Sequence, residues 1–185
     1  MEKTTELPQI RKRTTVASSQ LFRIEQLDLT FSNGIERIYE RMEGSGRGSV
    51  MIVPMLDENT ILLIREYCAG THSYELGFPK GLIDAGEAAE FAANRELKEE
   101  IGYGTHSLQL LKSVAMAPTF FSGDMNIYLA KDLYHEKLEG DEPEPLEIVP
   151  WKIDDYLTLL ARDDFKEARS IAALMLVLDQ LRGNK

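Results

Sequence analysis

Short apolar runs broken by turn chemistry organise the first two thirds of the chain, and helical spacing appears only twice. Across 21–42 two strand-like runs flank Ser32-Asn33-Gly34. Asn-Gly tolerates the positive φ of a tight turn, so the segment predicts an antiparallel β-hairpin. Residues 1–20 are polar and mildly basic around Arg11, Lys12 and Arg13, with no strong period. Glycines between Gly44 and Gly48 predict a hinge. The wholly apolar runs 50–53 and 61–64, separated by Asp57-Glu58-Asn59, read as buried strands. After a loop ending in Pro79-Lys80-Gly81, a helix is predicted over 88–101, stopped by Gly102, with Ala93, Leu97 and Ile101 four apart on its apolar face. Strands follow at 108–116 and 126–131, then an acidic, proline-punctuated loop over 136–145 and a strand near 148–151. Helices at 154–161 and 165–181 complete the chain. The layout predicts an N-terminal β module over 1–47 and a main α/β domain over 48–185.

Composition narrows the function. The chain has 185 residues, 43% of them hydrophobic, enough for one domain of ordinary size with an appendage. Its net charge of −10 argues against bulk nucleic acid and anionic membranes as partners, because the surface as a whole repels polyanions. A phosphorylated small molecule stays open if cations bridge acid to acid. Cys68 stands alone, so no internal disulfide forms, and a reducing cytoplasm suits it. It closes an apolar run and reads as buried filler. No apolar signal region is expected at the N-terminus, and the longest apolar run, 171–178, is far short of the ~20 residues a bilayer requires.

The chemistry concentrates at residues 81–103. At about 100° per residue, Glu96, Glu99 and Glu100 share one helix face. From Asp84 to Glu100 there are six acids against two bases. Such a face is either solvated or offset by a hard cation, since Mg²⁺ is commonly shared between a few carboxylates and substrate phosphates. Spacing alone leaves both open.

The full pattern of Gly81, Glu87, Arg95, Glu96, Leu97, Glu99, Glu100 and Gly102 resembles the box of the Nudix hydrolases at every fixed position, with Tyr103 where that box carries an aliphatic residue. The resemblance implies an α/β/α sandwich around a mixed sheet, and hydrolysis of nucleoside diphosphates linked to another moiety. It implies Glu96 and Glu100 as principal metal ligands, Glu99 as a contributor to a further ion, and the Lys80 carbonyl as an additional ligand. The expected cofactor is Mg²⁺, with Mn²⁺ as a substitute. Arg95 and Glu87 either order the box or take part in the site, and Gly81 is structural.

Further segments are similar to the ADP-ribose pyrophosphatase subgroup: Glu36–Arg41, Ile64-Arg65-Glu66-Tyr67, Pro118, and Glu167 to Leu174. By that likeness the acidic loop supplies the catalytic glutamate, Glu142 with Glu144 second, although a solvated loop would look the same. Arg41, Arg65 and Tyr39 are candidate substrate-binding residues, each equally readable as an ordinary strand residue. Phe120 and Phe121 read as core, and nothing suggests that His72, His106 or His135 binds metal. The expected substrates are ADP-containing compounds: ADP-ribose, NADH and diadenosine triphosphate. Phe78-Pro79-Lys80-Gly81 departs from the subgroup and looks more like enzymes of dinucleoside polyphosphates, which is the alternative, with Lys80 meeting an extra phosphate. A non-catalytic nucleotide sensor is the alternative outside the enzymes. A homodimer through the N-terminal module is what the resemblance and the hairpin-plus-hinge layout imply; an isolated hairpin is marginal and packs either on its own domain or on a partner, and the sequence leaves both open.

Overall fold

The computed structural model describes residues 6–183, which divide into two compact units. One is built on residues up to Gly46 together with Ala115–Gly123. Its sheet runs β1 (Gln9–Ser18), β2 (Arg23–Thr30) and β3 (Glu36–Met42), antiparallel in that order. The predicted hairpin is β2–β3, closing from Thr30↔Glu36, with Gly34 at φ 81° and the Asn33 side chain accepting from the Ile35 N–H at 3.1 Å. β1 is an addition to that reading. Its side chains are almost all exposed, so no alternation marks it, and it is held by its ladder to β2. Between β2 and β3, Glu25 is buried and ion-paired to Arg41 at 2.8 Å. The segment 115–123 joins this unit by pairing with the end of β3: the Met42 N–H donates to Phe120 O at 2.6 Å, and the Ser122 N–H donates to Met42 O at 3.1 Å. Phe120 is not core but 57% exposed, because the segment lies along an edge.

The other unit contains β4 (Ser49–Asp57), β5 (Thr60–Cys68), β6 (Ser73–Gly77), β7 (Lys80–Leu82), β8 (Tyr103–Ala115), β9 (Asp124–His135) and β10 (Glu147–Lys152). These form a seven-stranded sheet in the order β10-β5-β4-β9-β8, with β6 on β5 and β7 on β4. β4 and β9 are parallel, while β5 pairs antiparallel with β4, β6 and β10, so the sheet is mixed. The helix α1 (Ala89–Glu100) lays Ala93 and Leu97 on Val50, Ile52, Leu62 and Ile64. Leu97 is fully buried, worth about 1.5–3 kcal/mol. The alternate residues Met51, Val53, Ile61 and Leu63 are equally buried, and α3 (Ala168–Gly183) packs on β4 with Ala173, Leu174 and Val177 inward. The result is the α/β/α sandwich around a mixed sheet. A 3₁₀ turn (Ile153–Asp155) and α2 (Tyr156–Leu160) lead towards α3.

All three helices fall within a few residues of their predicted positions. β6 and β7 lay hidden in what read as a loop, since five and three residues are too few to show a period. Cys68 ends β5 half-buried rather than inside, where the strand emerges from the core. Tyr103 does pack against the α1 cluster despite its hydroxyl. Among the described residues no helix is long and apolar enough to cross a membrane.

Candidate active site

The turn from β7 into α1 is held by one guanidinium. Arg95 donates from Nη1 to Glu96 and Glu99, each at 2.8 Å, and from Nη2 to the Leu82 carbonyl at 2.9 Å. Nε and Nη2 both reach Glu87, at 3.1 Å. Glu87 also accepts the Asp84 N–H at 3.1 Å, and Arg95 holds its carboxyl below the usual range. One planar cation therefore ties the loop to two helix carboxylates, a fork geometry that lysine could not reproduce. Gly81 makes room for the arrangement. A Cβ at this position would fall on the carboxylate of Glu96, itself only 8% exposed. Burial raises the pKa of Glu96, and the Arg95 charge opposes the shift.

One turn further on, Glu100 accepts the Lys80 N–H at 3.0 Å. Burial pushes its carboxyl up to about 9, with Glu96 and Glu66 adding to the shift and the Lys80 charge opposing it. Ligand atoms of Glu66, Glu100 and Glu142 all lie within 4.8 Å of one another. They come from β5, α1 and the acidic loop. The Lys80 ammonium is ion-paired to Glu66 rather than standing free. Glu66 was not anticipated. The signal for it lay in the strand's period of two, which puts residue 66 on the same sheet face as Leu62 and Ile64, the face that carries α1.

A cleft of about 930 Å³ brings Lys80, Gly81, Arg95, Glu96, Glu99 and Glu100 together with Glu142 and Glu144 of the acidic loop. Glu142 has its pKa raised, first by burial and then by Glu66 and Asp141. Glu144 accepts the Tyr74 hydroxyl. Glu87 sits behind the cleft, on Arg95. Arg65 is engaged elsewhere: Nε bonds Glu147 at 2.8 Å and Nη1 bonds Asp164 at 2.6 Å. Arg41 and Tyr39 belong to the N-terminal sheet, where Arg41 is paired to Glu25 and the Tyr39 ring stands 6.4 Å from Phe31.

A mixed sandwich that carries a glutamate helix against a loop of further carboxylates offers the oxygen donors through which a hard cation can engage phosphates. Residues 46–174 match the NUDIX domain, and residues 8–41 match the NudE-type Nudix hydrolase N-terminal domain. The chain belongs to the Nudix hydrolase family. It is 55% identical to the ADP compounds hydrolase NudE of Escherichia coli (strain K12), over 99% of this chain and 98% of that one. The crystal structure of an ADP compounds hydrolase, 54% identical, superposes with a TM-score of 0.93 over 98% of both chains. The ADP-ribose pyrophosphatase of Bacillus subtilis (strain 168) is 27% identical, over 86% of this chain and 89% of that protein.

Nudix hydrolases generally use divalent metal ions. The residues here fit such an ion: the donors are carboxylate oxygens, which hard cations prefer, and Glu100 is a buried carboxyl that a neighbouring cation would return to its charged form.

Proposed function

We propose that the protein hydrolyses the diphosphate bond of ADP-containing compounds, ADP-ribose, NADH and diadenosine triphosphate among them, with Mg²⁺ as the physiological ion and Mn²⁺ as a substitute. The observation that carries this reading is the meeting of Glu66, Glu100 and Glu142 within 4.8 Å at the Nudix helix. The choice of ADP compounds is supported by the ADP compounds hydrolase NudE, to which nearly the whole chain is similar.

Glu96 and Glu100 would hold the metal, joined by Glu66 and the Lys80 carbonyl, and Glu99 would serve a further ion. Bound there, divalent cations neutralise the diphosphate and acidify a water. Arg95 keeps Glu96 and Glu99 in register, and Glu87 fastens Arg95 to the loop. Glu142 takes a proton from the attacking water as its oxygen bonds to one phosphorus; the bond from that phosphorus to the bridging oxygen breaks, and the bridging oxygen departs on the other phosphate. Lys80 is paired to Glu66, and once Glu66 turned to a cation the ammonium would be free to pair with a phosphate oxygen. Arg65, Arg41 and Tyr39 remain candidates for substrate contact, although each arginine would first have to leave its carboxylate.

A product-resolved panel tests the reading, with ADP-ribose, NADH, diadenosine triphosphate and a non-adenine nucleotide sugar, each with Mg²⁺ and with EDTA. Metal-dependent AMP from the adenine compounds is expected, and ADP-ribose is expected to exceed diadenosine triphosphate in kcat/KM. The reverse order would make this a dinucleoside polyphosphate hydrolase. Binding of ADP-ribose without any turnover would make it a sensor.

The N-terminal unit (residues 1–47 in the sequence) we assign to homodimer formation, on its exposed Ile38 and Tyr39 and its three-stranded size. Light scattering should give twice the mass of 20.9 kDa; a monomer at micromolar concentration would remove the assignment. The lone Cys68 supports a cytoplasmic setting, which recovery from an oxidising compartment would overturn.

A further inference from the structure

The acidic loop that delivers Glu142 is fastened unevenly. Its start is tied to the end of α1: the Glu136 N–H donates to Gly102 O and the Leu138 N–H to Lys98 O, both at 3.1 Å, and Lys98 Nζ pairs with Glu136 at 2.9 Å. Its far half contains Pro143 and Pro145, which have no N–H to give. That half is met from the side by Tyr74 of β6, whose hydroxyl donates to Glu144 Oε1 at 2.5 Å.

Tyr74 is itself braced. It lies opposite Tyr67 in the β5–β6 ladder, and the two rings meet edge-on at 5.9 Å. The Tyr67 hydroxyl shares a hydrogen bond of 2.8 Å with His72 Nδ1, and the His72 ring stands at 90° to Tyr67, 5.8 Å away. His72 adopts φ 50°, a left-handed conformation that costs a non-glycine residue about 1 kcal/mol. His72 takes its conformation from the turn between β5 and β6, but Tyr67 and Tyr74 are 49% and 52% exposed, so packing of the core does not explain three coupled rings here. What the assembly does hold is Glu144.

We propose that Tyr74 is a positioning residue: through Glu144 it clamps the acidic loop and sets Glu142 beside Glu66 and Glu100. The proposal rests on the reading that Glu142 works in the hydrolysis. The lever is short and stiff. Only Pro143 separates the clamped residue from Glu142, its ring fixes its own φ, and it restricts Glu142 to extended backbone. Glu144, read from the sequence as a second catalytic candidate, thereby becomes the tether and leaves the proton chemistry to Glu142.

Tyr74→Phe removes the hydroxyl and keeps the ring on Tyr67. Expected are an unchanged thermal midpoint, kcat for ADP-ribose lower by about tenfold with KM nearly unchanged, and faster hydrogen exchange at amides of 138–146. Glu144→Ala, which removes the acceptor, should behave in the same way, and the double variant should be no worse than either single one. In a Glu142→Gln background, Tyr74→Phe should change kcat no further, which a general loss of structure would not reproduce. Unchanged loop exchange, or faster exchange with unaltered kcat, would overturn the clamp. Because exchange is read without substrate, a wild-type protein inactive on every ADP compound would sink the functional reading while faster exchange in Tyr74→Phe still supported the clamp.

Discussion

Glu100→Gln should lower kcat by roughly 10³-fold while leaving the fold intact, the equivalent of ~4 kcal/mol of transition-state stabilisation. The amide is the same size as the carboxyl and its oxygen still accepts the Lys80 N–H, so packing at this buried position is preserved. What disappears is the charge that a hard cation needs. The same substitution has a second, opposite effect. In cation-free protein the folded Glu100 carboxyl titrates at about 9, against an ordinary 4.5. Between those values the folded state binds the extra proton and the unfolded state does not, so stability falls as pH rises through that window. Urea unfolding in EDTA should show wild type weaker at about pH 8 than at about pH 5, and Glu100→Gln should flatten that slope. Near-normal turnover in the folded variant would refute the ligand role. An unchanged slope would show that Glu100 does not carry the buried charge.

Glu142→Gln should reduce kcat by about 10²-fold, with a smaller loss of metal affinity than Glu100→Gln produces. A base must be deprotonated to act, so the rate rises with pH through its pKa. That pKa is displaced above the ordinary carboxyl value by burial and by Glu66 and Asp141. The acid limb of the wild-type pH–rate profile should therefore lie above 4.5 and be lost in the variant. If neither rate nor profile moves, proton abstraction belongs to another residue.

The parts of this molecule that were legible from the chain are those where one local rule suffices. The Nudix helix shows its apolar face through Ala93, Leu97 and Ile101, its stop through Gly102, and its chemistry through three glutamates on one side. The Asn33-Gly34 turn likewise declares the β2–β3 hairpin. β1 does not declare itself, because a strand exposed on both faces has no alternation. Glu66 stayed hidden for a different reason: its closeness to Glu100 and Glu142 follows from where the sheet places β5, a consequence of strand order that no local window contains. The same holds for Arg65, whose partners Glu147 and Asp164 are more than eighty residues away. Tyr74 fell in what read as a loop, and its bond to Glu144, seventy residues on, lies outside any local window.

The convergence of residues 66, 100 and 142 also bears on how the protein comes into being. During synthesis, a ribosome that has extruded the helix but not the acidic loop presents two of the three carboxylates, without the third that closes the set. What arrives last is then the proposed base rather than the proposed ligands: Glu66, Glu96 and Glu100 have already been made when the loop that carries Glu142 leaves the ribosome, so on that reading the means of holding an ion precedes the means of using it.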